Sequence, residues 1–481
     1  MTPVTPHAGS CPRRAASPTL GSVTQQPSGD DDTLVLRGQL PPGARDFVEV
    51  PFAVPDGVRE IAVSYAYARP DVPDGTLGNA CDIGLLDADG RLRGWSGGAR
   101  DSFRVGERDA TPGYLPGPIA PGTWRVLLGP YTVAPQGLPY EIHVTLHHAP
   151  AIGPPAPAPA YPPSRAPGRG RSWYRGDCHL HTVHSDGSRT PAELAAAARA
   201  ARLDFIVSTE HNTTSAHAAF AAEAGDDLLI LTGEEITTRN GHLLALGTDP
   251  GTWFDWRFRA RDEDAFARTA RAIRRAGGLV VPAHPYGLHL GSQWKFGYEH
   301  ADAVEVWNGT WTLDDEAALA TWDNLLGHRV LPAMGNSDAH REPQVVGLPQ
   351  TVVRADALER GAILDGLRAG RSWIAESADL DVEFEAVAEG GARAGVGDTL
   401  PVRADEPVAV TLTVTGVPDP VVRLVTDEGQ THLAFAERVE WRTTSAATAY
   451  VRAEVRHAGN GTMAALTNPI RLLDTPTEGG R

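Results

Sequence analysis

The chain has 481 residues, which at roughly 150 per domain points to about three domains. Its 60 acidic and 43 basic side chains leave a formal charge of −17, a field that repels long polyanions but not a small anion at a local positive site. Hydrophobic residues at 41 % and charged residues at 21 % fit a globular chain, and no apolar run of about 18 residues marks a membrane span. The first residues carry Arg13 and Arg14 with no apolar stretch behind them, so residues 1–32 read as a disordered tail rather than a signal peptide. Three cysteines, Cys11, Cys81 and Cys178, are too few and too scattered for a disulfide framework, which sets the expectation of a reducing, cytoplasmic setting.

Residues 33–148 are expected to form a β-sandwich or jelly roll. FVEVPFAV (47–54), VREIAVSYAYA (58–68), TWRVLLG (123–129) and YEIHVTLHH (140–148) alternate polar and apolar positions and are rich in β-branched and aromatic side chains. Residues 149–171 are proline-rich, poor in backbone donors, and read as a semi-rigid linker. From 172 to 376 short apolar strands alternate with Ala-rich helices such as PAELAAAARAAR (191–202), where Thr190 and Pro191 supply a cap and a first turn. That alternation predicts parallel strands with helical crossovers, in about seven units, hence a (β/α) barrel. Residues 377–475 return to β patterning and suggest an Ig-like domain, followed by a tail at 476–481. The fold class is thus multidomain, α/β at the centre and all-β on either side.

Eleven of the 17 histidines fall between His179 and His340. In GDCHLHTVHSDG (176–187) strand alternation puts Asp177, His179 and His181 on one face, where two imidazoles can reach one cation and Asp177 can hold the second ring nitrogen. Asp186 follows in a Gly turn, able to add a hard ligand or cap the next helix. Single histidines or carboxylates then recur at successive strand ends: His211, Glu234 or Glu235, His284, Asp338 and His340, with His242 opening the short strand HLLALG. In a (β/α) barrel the C-terminal strand ends converge on one mouth. Parity does not choose between Glu234 and Glu235, because strands buried on both faces tolerate either.

These segments, with STEHNT (208–213), GEEITT (233–238), PAHP (282–285), EVWNG (305–309) and GNSDAH (335–340), resemble the PHP (polymerase and histidinol phosphatase) metal-dependent hydrolases, of the CehA/McbA type. The resemblance implies a distorted (β/α)7 barrel with two or three divalent metal ions, Mn, Zn or Fe. It assigns His179, His181, Glu235 and Asp338 to one metal, and Glu235, His242 and His284 to a second. Asp186, His211 and His340 would hold a third. The Gly233-Glu234-Glu235-Ile236-Thr237 frame selects Glu235 as the bridge, with Glu234 as the fallback. An aspartate at 186 where some members have histidine shifts the preference toward Mn or Fe. Cys178, on the opposite strand face, is not expected to be a ligand.

Nine N/O ligands without a thiolate suit such metals, and a water shared by two cations loses its proton near neutral pH to become a nucleophile. The leading expectation is a metal-bridged hydroxide attacking a small phosphoester, as in a phosphatase or phosphodiesterase. Alternatives are an amide, ester or carbamate hydrolase, an exonuclease on short oligonucleotides, and a non-enzymatic metal-stabilised scaffold. Residues 171–376 hold 28 acidic and 20 basic side chains, so the partner is expected to be a small anionic molecule, not long nucleic acid or membrane. Glu235 and Asp338 are assigned to catalysis with Arg341 as an anion clamp. His289 or Lys295 is a proton donor to the leaving group. Asn212, Tyr286, Asn308 and Asn336 adjoin ligands, and Trp253, Trp256, Trp294, Trp307 and Trp311 either wall a pocket or fill the core.

Overall fold

The computed structural model describes residues 20–28, 31–148 and 159–475. It divides into two units. The first runs over Met1–Arg93, Gly97–Ala110 and Pro116–Pro154, and the second over Gly94–Ser96, Thr111–Leu115 and Pro155–Arg481.

The first unit is built on two antiparallel sheets. One orders its strands Leu20–Ser28, Asp31–Leu40, Leu138–His147, Glu60–Tyr67 and Ser102–Gly106; the other orders Val48–Val54, Gly122–Thr132, Ala80–Leu86 and Leu92–Gly97. The alternation read from sequence is visible in burial, as Val48, Val50, Phe52 and Val54 point inward and the residues between them outward. Leu20–Ser28 lies in the stretch expected to be a tail, yet it pairs antiparallel with Asp31–Leu40. Its LGSVTQQPS sequence has few apolar residues, so backbone pairing rather than side-chain pattern makes it a strand. The rest of that tail, 1–19 and 29–30, lies outside the described residues, as do linker residues 149–158 and the end, 476–481.

The described part of the proline-rich segment does not act as a free spacer. Ala166 is buried and donates its N–H to the Leu358 carbonyl, while Arg169 forks onto Asp204 and lies over the Tyr174 ring. Residues 164–170 therefore belong to the folded body of the second unit.

In that unit, Phe205–Ser208 sits between Ser172–Asp177 and Leu229–Thr238 and is parallel to both. Helices Pro191–Ala200 and Ala216–Ala219 make the two crossovers. Thr190 caps the first, with Glu193 returning the bond in a capping box. Alternate residues of these strands feed two cores: Phe205, Val207, Leu229 and Leu231 one, Ile206 and Ile230 the other. Burial on both faces is the signature of sheets covered on both sides.

The expected run of parallel strands stops there. Leu229–Thr238 and Gly241–Leu246 are joined by two residues, too few for a crossover, so they form a hairpin, and Leu279–Ala283 adds antiparallel to it. Val304–Asn308 and Ala333–Asn336 pair parallel across helix Leu313–Leu326. Gln350–Ala355 joins Ser172–Asp177 antiparallel. Isolated bridges Leu180–Ala339 and His211–Glu235 carry the pairing past the strand ends.

No clean break occurs at residue 377. Ser372–Ala375 pairs with Met463–Thr467, so one sheet runs from the α/β part into the C-terminal strands. Residues 420–434 form a hairpin, Pro420–Thr426 and Gly429–Ala434, turning at Asp427-Glu428. Leu412, Val422, Val455 and Leu400 lie in the core these strands share.

Candidate metal centre

The strand ends deliver the side chains the sequence singled out to one place. Ser172–Asp177 runs into His179 and His181, Phe205–Ser208 into His211, Leu279–Ala283 into His284, and Ala333–Asn336 into Asp338 and His340. Glu235 and His242 lie within the hairpin strands. Ligand atoms within 4.8 Å of one another form three groups: His179, His181 and Asp338; His179, Glu235 and His284; and His181, Asp186, His211 and His340. The groups share His179 and His181, so they make one continuous cluster. Three assignments implied by the resemblance shift. Glu235 groups with His179 and His284 rather than with His181 and Asp338. His181 faces the Asp186 group as well, and His242 stands beside Glu235 without entering any of the three groups. Its Nδ1 is 2.8 Å from Glu235 Oε1, which also lies 3.2 Å from His284 Nε2.

The polar atoms here lack ordinary partners. His179 Nε2, His181 Nε2, Asp186 Oδ1, Glu235 Oε2 and Asp338 Oδ1 are buried and make no hydrogen bond among the described residues. They face one another nonetheless: Asp338 Oδ1 is 3.0 Å from His181 Nε2 and 3.3 Å from His179 Nε2. Buried polar atoms without partners are costly, and a cation among converging lone pairs removes that cost. The donor set, imidazole and carboxylate without thiolate, fits a divalent metal of the Mn, Fe or Zn type. Backbone strain also gathers here, since His284 and Asp338 hold φ of +26° and +49°. Non-glycine residues rarely adopt such values, and when they do it is commonly at a functional site.

Electrostatics follow from burial and crowding. Burial alone would raise the Glu235 carboxyl, but His211, His179 and His242 override it and hold it well below the usual range. Burial would likewise raise Asp338, and His179 and His181 hold it low. Burial with His340 and His211 alongside pushes His181 down to about 3, leaving a neutral imidazole with a lone pair to offer. His211 goes the other way, to about 10, because Glu235 and Asp186 outweigh its burial.

The pleat separates the two adjacent glutamates. Glu235 turns into the cluster, whereas Glu234 turns away and accepts the Phe254 N–H at 3.0 Å. Asp177 does not orient an imidazole. It accepts from the backbones of Ser337 and Gly347 and from the Ser337 hydroxyl, because the strand ends at Asp177 and turns. That second role falls to Glu305, which the sequence pattern passed over. Buried Glu305 meets His179 Nδ1 at 3.1 Å and accepts from the His284 N–H and from both Asn308 and Asn336 side chains. Glu210, equally unforeseen, holds Thr182 and Ser185, and Ser185 Oγ is 3.3 Å from His181 Nδ1. The signals were present as carboxylates in apolar strand ends, but without histidine spacing to flag them.

A cavity of about 870 Å³ opens over the cluster. Tyr286, His289, Asn308, Asp314 and Arg341 line it, and Leu288 stands at its edge with 85 % of its surface exposed. Arg341 Nη2 bonds the Asp186 carbonyl at 3.1 Å, pinning the guanidinium beside the cluster. Lys295 is not among the lining residues; its ammonium bonds Gln293. None of the five tryptophans lines the cavity, and Trp256, Trp294, Trp307 and Trp311 are buried. Asn212 accepts the Thr237 N–H and is scaffold. Cys178 is buried in the hydrophobic core.

No family model and no curated protein matches the chain. Among solved structures, a two-domain protein from Bacteroides vulgatus containing a predicted PHP-like metal-dependent phosphoesterase shares 18 % identity over 66 % of this chain and all of that one, with a TM-score of 0.33. A putative metal-dependent phosphoesterase from Bifidobacterium adolescentis shares 23 % over 39 % of this chain and 92 % of its own, at 0.27. An amidohydrolase from Chromobacterium violaceum, with sulfate bound and no metal, shares 21 % over 36 % and 89 %, at 0.25. Likenesses this low fix neither fold nor family.

Proposed function

We propose that the chain is a metal-dependent hydrolase of the PHP type, of the CehA/McbA kind, acting on a small phosphoester. The observation that carries this reading is the set of five buried nitrogen and oxygen atoms, without a hydrogen bond among the described residues, converging beneath one cavity. His179, His181, Asp186, His211, Glu235, His242, His284, Asp338 and His340 would hold two or three divalent ions. Such ions, when bound, supply a Lewis acid and an acidified water. The chain's own residues do the rest. Glu305 fixes the His179 ring so that Nε2 faces the cluster. Arg341, held through Nη2 and with no bond from Nε or Nη1 to any described residue, clamps the anionic group of the substrate. His289, at the cavity wall, gives a proton to the departing oxygen. The partner in this reading is a small anion, with long nucleic acid disfavoured by the net charge. No helix among the described residues is long and apolar enough to cross a membrane.

Protein purified without chelators should contain two or three equivalents of metal and hydrolyse p-nitrophenyl phosphate or its bis-ester with Mn²⁺ or Zn²⁺. Asp338→Asn should lower that turnover at least ~100-fold, as removal of a group stabilising transition-state charge does. Cleavage of an aryl carbamate alone would move the reading to carbonyl chemistry. A well-folded protein without metal would overturn it.

A further inference from the structure

The C-terminal β strands meet the cavity wall through charge. On strand Tyr450–His457, Arg452, Glu454 and Arg456 share one face and form a row about 13 Å long. Helix Leu313–Leu326 presents Glu316 and Asp323, two turns and about 10 Å apart on one face. The two spacings match. Arg456 forks onto Glu316 at 2.5 and 3.1 Å, and Arg452 meets Asp323 at 2.5 and 2.9 Å. Glu454 bonds both arginines, at 2.9 and 3.1 Å. The guanidinium groups also lie over Trp311 and Trp322. All three strand residues are buried. Replacing a buried ionic row by apolar packing is often neutral or stabilising, so stability alone is a weak reason for this one.

The helix it grips begins at the cavity. Thr312, Asp314, Asp315 and Ala318 are lining residues. Asp315 closes the capping box with Thr312 and accepts the Asn308 N–H at 2.9 Å. Asn308 in turn donates to Glu305 at 2.9 Å and lies 3.4 Å from Asp338. One chain of contacts thus leads from the C-terminal strands to the metal cluster. We propose that Arg452, Glu454 and Arg456 are positioning residues, which set the helix that walls the substrate cavity and, through Asn308, the carboxylates beneath it. This rests on the hydrolase reading.

The experiment compares Arg456→Gln with wild type for KM and kcat on p-nitrophenyl phosphate, Mn²⁺ affinity by chelator competition, and Tm. The expected result is a rise in KM of at least fivefold in folded Arg456→Gln and Arg456→Glu proteins, the latter reversed by adding Glu316→Arg. A lowered Tm with unchanged KM would reduce the row to a structural role and overturn the proposal. Should Arg456→Gln fail to fold, Glu316→Gln removes the same fork from a side chain that is 40 % exposed. If wild type hydrolyses no phosphoester, the phosphoester reading falls separately, and Mn²⁺ affinity decides. A fivefold loss in the variant then supports positioning, and an unchanged affinity sinks it.

Discussion

Glu305 shows how much of a site rests on one side chain that holds nothing itself. Four donors converge on its buried carboxylate, from His179, His284, Asn308 and Asn336. Glu305→Gln keeps the shape but sets an amide N–H₂ against some of those donors. Metal affinity is expected to fall about 10- to 100-fold, the usual result of losing a carboxylate behind a histidine ligand. Chelator competition measures it, and an unchanged affinity would show that His179 is held by packing alone. The nine candidate positions stood out because histidines and carboxylates at strand ends contrast with an apolar background; eight of them fall in the three groups of converging atoms and His242 does not. Glu305 was not legible, because a carboxylate inside EVWNG has no spacing of its own and, Asn308 apart, its partners come from three other segments. The choice between Glu234 and Glu235 needed the pleat, which only the pairing with Gly241–Leu246 fixes.

Among elements, the helix expected over 191–202 forms as Pro191–Ala200, while helix Ala216–Ala219 and strand Ser372–Ala375 carry no comparable pattern. The error lay in direction. A two-residue connection after Thr238 forces a hairpin, and the alternation of strands and helices conceals that. The short helix Ala216–Ala219 is too short to stand alone and is held by His217. That ring bonds the Gly233 carbonyl at 2.7 Å through Nε2 and receives the Gly251 N–H at 3.0 Å, tying three segments together. Burial pushes its pKa down to about 4. The unfolded chain binds this proton below about 6.5 while the folded chain does not until about 4, so stability is present above 6.5 and is lost as pH falls between the two. The contribution reaches about 3 kcal/mol at most. His217→Gln keeps both hydrogen bonds without the titration. Urea unfolding at pH 7 and pH 4.5 should therefore show a shallower loss in the variant, and an identical loss would assign the acid sensitivity to other groups.

The whole molecule was read as three domains, and the sequence gives little hint that the last two share a sheet. Proline and composition mark linkers, but a hydrogen-bonded ladder between Ser372–Ala375 and Met463–Thr467 leaves no such trace. Asn468 adds a second tie. Its side chain pairs with both the N–H and the carbonyl of Ala333, at 2.8 and 3.0 Å, on the strand that leads to Asp338. A chain ended at Glu376 would strand the buried Trp373 and Ile374 at an open edge and remove that clamp. It is expected to lose its cooperative thermal transition and to aggregate, as calorimetry and light scattering would show. A soluble, cooperatively folding truncation would restore the boundary at 377.

The loop after His284 brings Tyr286, Leu288 and His289 to the cavity and then carries Lys295 away from it. Lys295 is the only lysine in 481 residues and is exposed. An amine-reactive fluorophore therefore has one side-chain address on this protein besides the chain terminus. That address sits on the loop whose first residues line the cavity, so a single label reports from beside the site without an engineered attachment point.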